Sequence, residues 1–197
     1  MATDMNILLF CCNGFEMMEF APFYDVAGWA KSEYNYDVQI DICGFDYKIK
    51  SAFGNAEITA DKIISEVKVA DYDAIAIPGG DYVYGYFSEA YDERFLALIK
   101  EFNEYNKIIA SVCVGALPVG KSGALVGRNA TTYHLLDGYR QKELAEFGAT
   151  IINKPVVIDN NIITSYCPQT APTVAFKLME LLIGEEKVNV IKQGMGY

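Results

Sequence analysis

Apolar runs and mixed helical segments alternate along this chain. Residues 5–12 (MNILLFCC) are continuously apolar, as in a strand buried on both faces. Residues 19–33 follow with Phe20, Phe23, Tyr24, Ala27 and Ala30 near helical spacing. Residues 36–45 alternate apolar and polar, which predicts a strand with one more exposed face, and 49–59 read as a short irregular β excursion. Residues 71–80 form a second buried run ended by Pro78-Gly79-Gly80; 92–107 form an amphipathic helix and 108–113 a third buried run. A helix begins within 114–125, and another lies within 135–149. Residues 155–165 predict a hairpin turning at Asp159-Asn160-Asn161. A closing helix spans 170–184, with Gly184 as its C-cap.

Strands alternating with helices argue for a parallel sheet covered on both faces, with right-handed crossovers. Such sheets bind ligands beyond the carboxyl ends of their strands, where strand order reverses. Three strand ends therefore carry interest: Cys12-Asn13-Gly14, Pro78-Gly79-Gly80 and Cys113-Val114-Gly115.

Composition narrows the classes. The chain has 197 residues, 52% of them hydrophobic, which suits one domain over 1–197 with a substantial core. A net charge of −10 argues against nucleic-acid and anionic-membrane partners. The N-terminus has an early Asp4 and a short apolar run, so neither a secretory signal nor a membrane span is expected. Five irregularly spaced cysteines fit a reducing, cytoplasmic setting rather than a disulfide framework. With one histidine, His134, a Cys/His zinc site is not expected, and no cofactor is called for.

The run ending in SVCVGA places Cys113 where a strand turns sharply into a helix, with Gly115 two residues on. That is the logic of a nucleophile elbow, with the helix dipole favouring a thiolate of lowered pKa. A buried structural cysteine is the equally weighted alternative. Gly79 and Gly80 allow backbone N–H groups close to a ligand, although strand-ending turns use the same residues. Glu16 and Glu19 lie on the rim after the first strand, where a carboxyl could exchange protons with Cys113; acidic residues also favour helix N-termini for their own sake.

Together the stretches GFEMMEF, AIAIPGGD, IIASVCVGALPVGKSGALVGRNATTYH and NIITSYCPQTA resemble the ThiJ/PfpI superfamily over essentially the whole chain. This class I glutamine-amidotransferase-like family includes a parkinsonism-associated deglycase and isonitrile hydratases. The resemblance implies an α/β, flavodoxin-like doubly wound three-layer sandwich with a mostly parallel sheet. It implies Cys113 as nucleophile, Glu19 as its acidic partner, and the amides of Gly80 and Val114 as oxyanion donors, with Gly79 in the same turn. It also implies a homodimer. Val114 stands where protease and glyoxalase members often have histidine, so peptidase activity ranks lowest. The family's usual TTH triplet reads Thr131-Thr132-Tyr133 here, with His134 one place later as a candidate catalytic base. Tyr166 and Cys167 stand where relatives have small or basic residues. The implied activity is a cysteine-dependent cytosolic hydratase, lyase or hydrolase acting on a small electrophile, such as an isonitrile or a dicarbonyl. The alternative is a redox sensor or stress-response protein that works by oxidation of Cys113.

Overall fold

The computed structural model describes residues 5–54 and 56–197. Asp4 of the N-terminal reading and Asn55 of the 49–59 segment lie outside the described residues. In chain order the elements are β1 (Met5–Phe10), α1 (Met17–Ser32), β2 (Val38–Gly44), β3 (Lys48–Lys50), β4 (Glu57–Thr59), β5 (Lys62–Ile63), β6 (Ala74–Ile77), α2 (Tyr86–Ala90), α3 (Glu93–Glu104), β7 (Ile108–Ser111), α4 (Ala116–Lys121), β8 (Asn129–Ala130), α5 (Tyr139–Glu146), β9 (Thr150–Ile151), β10 (Val156–Asp159), β11 (Ile162–Ser165), α6 (Ala171–Ile183) and α7 (Glu185–Met195).

The apolar runs become the middle of a seven-stranded sheet ordered β10-β11-β7-β6-β1-β2-β5. Every pairing in it is parallel except β10 with β11. β6 is buried at all four positions, and β1 is buried from Ile7 to Phe10, because helices cover both faces. Helices α1, α6 and α7 pack together on one side, and α3, α4 and α5 on the other. Phe10 stacks on Phe95 of α3 with ring centroids 4.0 Å apart, tying the sheet to that layer.

The expected strands and helices are present, most with shorter ends, although α1 starts earlier, at Met17. The 49–59 segment contains the antiparallel pair β3–β4, and the hairpin turns at Asn160, whose φ is 52°. Two differences stand out. The helix over 170–184 does not close the fold: Gly184 ends α6 at φ 91°, and α7 begins at once with Glu185 and Glu186 in its first turn. Its buried apolar stripe is only Val188 and Ile191, too thin to read through the surrounding charge. The element after Cys113 is also not a long helix. A 3-10 turn over Cys113–Gly115 leads into a helix of six residues.

Strand order reverses between β1 and β6. The chain leaves β1 for β2 on one side and then crosses to β6 on the other. The carboxyl ends of β1, β6, β7 and β11 open on that side of the sheet, which is where the sequence motifs meet.

Candidate active site

Four strand ends build the site. After β1 the chain turns through Gly14, at φ 77°, and Phe15 forms bridges to Ser51 and Gly80. Glu16 then caps α1, accepting a 3.3 Å hydrogen bond from the Met18 N–H. The extended backbone of that cap separates the two acids. Glu16 stays half-exposed, while Glu19, in the first helical turn, points inward and is only 1% exposed.

Glu19 Oε2 accepts a 2.5 Å hydrogen bond from the Gly79 N–H, and its carboxyl is hydrogen-bonded to the Cys113 thiol. Burial pushes its pKa up to about 8, and the charge of Glu16 adds to the rise; the Gly79 and Cys113 hydrogen bonds pull the other way. A buried carboxyl of this kind is largely protonated at neutral pH.

Cys113 sits at φ 56°, in the left-handed region that non-glycine residues rarely occupy. Such backbone costs about 1–3 kcal/mol and persists only when its surroundings hold it. Here Val112 N donates to Ile77 O (3.1 Å), Gly115 N donates to Val112 O (2.8 Å), and Thr132 Oγ1 donates to the Cys113 carbonyl (2.7 Å). Gly115 is required by crowding: a Cβ there would lie 2.6 Å from Ile77 O. The junction is therefore an elbow, clamped by β6 on one side and by the 131–134 segment on the other.

The thiol's acidity departs from expectation. Its pKa is raised, not lowered, by burial first and by the Glu19 charge second; the Val114 N–H that faces the sulfur lowers it only in part. The physical reason is local. A 3-10 turn and a six-residue helix supply little dipole, whereas Cys113 is only 7% exposed and lies against a carboxyl. The thiol and carboxyl form one coupled pair, and protons leave the pair rather than either group alone.

The two glycines of the β6 turn divide their work. The Gly79 N–H is used to hold Glu19, so Gly79 is not a free oxyanion donor. Gly80 lines the cleft, and its N–H is engaged in no hydrogen bond among the described residues. A Cβ at Gly80 would fall 2.2 Å from the Tyr86 ring and 2.3 Å from Gly14 O, so no larger residue fits. Val114 also lines the cleft.

His134 does not join this group. It does not line the cleft; its Nδ1 lies 3.5 Å from Cys167 Sγ and its ring stacks on Tyr166 at 3.9 Å. Successive side chains of an extended segment point to opposite faces, and here Tyr133 takes the face toward Cys113. The one-residue shift in TTYH thus exchanges a histidine for a tyrosine in the cleft.

The cleft encloses about 280 Å³ between Cys113, Glu19, Gly80 and Val114 on one side and Tyr133, Leu136, Tyr139 and Arg140 on the other. The second wall is absent from the sequence reading. Leu136, Asp137 and Gly138 are all left-handed, with φ of 53°, 58° and 65°, and they turn the chain so that α5 presents Arg140 to the cleft. The Arg140 guanidinium rests on the Phe87 ring at 4.2 Å and donates to Glu143 Oε2 at 2.6 Å. Only Gly138 hints at that turn in the sequence. Among the described residues no cluster of His, Cys, Asp and Glu could hold a metal ion, and no helix is long and apolar enough to cross a membrane.

Comparison with known proteins agrees with this architecture. The crystal structure of Drosophila melanogaster DJ-1beta superposes with a TM-score of 0.84 at 25% identity, covering 98% of each chain. The glutathione-independent glyoxalase DJ-1 of Schizosaccharomyces pombe is 27% identical over 197 residues, 97% of this chain and 98% of that protein. Protein/nucleic acid deglycase 2 of Escherichia coli K12 is 29% identical over 140 residues, 68% of this chain and 74% of that one. The model of the DJ-1/PfpI family matches residues 5–181, and the chain belongs to that family.

Proposed function

We propose that this protein is a cysteine-dependent enzyme that adds Cys113 to the carbonyl of a small 1,2-dicarbonyl and releases a 2-hydroxy acid. The observation that carries the reading is the buried Glu19 carboxyl on the Cys113 thiol, at the end of a cleft sized for a small molecule. The relatives named for glyoxalase and deglycase activity support the substrate class.

The chemistry follows from the placement of the groups. Once the pair has given up its first proton to solvent, the ionised Glu19 takes the thiol proton as Cys113 Sγ attacks the aldehyde carbon. The developing oxyanion lies against the N–H groups of Gly80 and Val114, and Glu19 returns the proton to it, giving a hemithioacetal. Glu19 then takes the C1 proton and delivers it to C2, while the C1 hydroxyl proton passes to the C2 oxygen. That internal transfer oxidises C1 to a thioester and reduces the C2 carbonyl to an alcohol. Water cleaves the thioester, freeing the 2-hydroxy acid and the thiol. Arg140 on the opposite wall orients the polar end of the substrate. The five unpaired thiols support a reducing compartment such as the cytoplasm.

The test is turnover of methylglyoxal followed by chiral detection of the 2-hydroxy acid. Turnover lost in Cys113→Ala and Glu19→Gln supports the reading. Turnover that survives Cys113→Ala, or wild-type protein that gives no product, contradicts it.

A further inference from the structure

The Cys167 side chain has no part in the chemistry above, yet it is built into the same strand ends. β7 and β11 are parallel neighbours paired Ile109 with Ile162 and Ala110 with Ile163. β7 ends at Ser111 and β11 at Ser165, so Cys113 and Cys167 each stand two residues beyond the carboxyl end of neighbouring parallel strands. The segment 131–134 ties the two ends together: Thr131 N donates to Thr164 Oγ1 (2.9 Å), Thr132 Oγ1 donates to the Cys113 carbonyl (2.7 Å), and His134 Nδ1 meets Cys167 Sγ (3.5 Å). The Cys167 carbonyl is held by Thr170 Oγ1 at 2.7 Å, and the His134 ring is held by Tyr166. The two thiols also sense each other, since charge on Cys167 raises the Cys113 pKa.

We propose that Cys167 is the resolving thiol of Cys113: after a peroxide oxidises Cys113, Cys167 and His134 close a Cys113–Cys167 disulfide. The proposal rests on the reactivity of Cys113 used above, not on the dicarbonyl chemistry. In the first step the thiol and ROOH give the Cys113 sulfenic acid and ROH. In the second, Cys167 Sγ attacks Cys113 Sγ while its proton passes to His134 Nδ1. The S–O bond breaks, and the leaving hydroxide takes a proton from the Glu19 carboxyl and departs as water. Solvent returns the His134 proton to Glu19. An exogenous thiol reductant reopens the bond. Cys11 and Cys12, just beyond β1, and Cys43, in β2, are fully buried and do not compete.

The experiment treats the full chain with hydrogen peroxide, blocks remaining thiols, and maps peptides by mass spectrometry. Wild-type protein is expected to lose two hydrogens and give a peptide pair linked through Cys113 and Cys167. Cys167→Ser is expected to accumulate the Cys113 sulfinic acid instead, and His134→Ala to form the link at least about tenfold more slowly. Wild-type protein that proceeds to the sulfinic acid with Cys167 free overturns this proposal alone. Wild-type protein whose Cys113 resists peroxide overturns it together with the reactive-thiol reading.

Discussion

The two walls of the cleft are made differently. One is the rim of the sheet, where Gly80, Cys113 and Val114 each follow a strand end by two or three residues and Glu19 sits in the first turn of the helix after β1. The other is irregular chain from Tyr133 to Arg140, turned by three successive left-handed residues. The sheet wall is fixed by β-ladder hydrogen bonds and close backbone approaches, so its geometry tolerates little change. The second wall hangs on side-chain contacts such as Arg140 over Phe87. The difference assigns the chemistry to the sheet wall and the choice of substrate to the other.

Substitutions sharpen or break that division. Cys113→Ala is expected to reduce kcat/KM for a dicarbonyl by about a thousandfold or more. Glu19→Gln keeps an acceptor for the Gly79 N–H but cannot relay a proton, so kcat falls about a hundredfold with KM nearly unchanged. On the second wall, Arg140→Ala is expected to raise KM about tenfold while kcat changes little; steady-state kinetics separate the two patterns. A large kcat loss in Arg140→Ala would erase the distinction between the walls.

Stability follows the same line. The Glu19 pKa is about 8 in the fold, whereas a free carboxyl titrates near 4.5. The folded state therefore holds this proton more tightly than the unfolded state. Its contribution is complete below the unfolded value and is lost as pH rises through the window from about 4.5 to about 8. Across that window the wild type is expected to lose roughly 3–5 kcal/mol relative to Glu19→Gln, read by urea denaturation at several pH values. The smallest effect expected is at the elbow clamp. Thr132→Val removes the hydrogen bond to the Cys113 carbonyl and is expected to cost about 1–2 kcal/mol in the same denaturation measurement.

The sheet wall is legible in the sequence because each of its parts ends a continuous apolar run. The Cys113 elbow and the glycine turn follow buried β7 and β6, and Glu19 falls one helical turn beyond Glu16. The second wall is not, since left-handed Leu136 and Asp137 carry no glycine signal and Arg140 looks like any charge on a helix surface. The thiol's acidity escapes the sequence for a related reason: the pattern shows that a helix follows Cys113 but neither its six-residue length nor the depth of burial. Similarity of a triplet suggests His134 for the cleft, whereas Tyr133 takes that place and His134 meets Cys167.

The central claim is that Cys113 and Glu19 act as one proton-sharing pair. It is tested most directly by the pH dependence of Cys113 alkylation under limiting iodoacetamide, read by peptide mass spectrometry. The account predicts that Cys113 is labelled ahead of the other four cysteines. Its labelling rate should rise only above the free-thiol range in the wild type, because burial and the Glu19 charge both hold the thiol proton, and Glu19→Gln should move that inflection to lower pH. An inflection unchanged by Glu19→Gln, or labelling of Cys167 before Cys113, would contradict it.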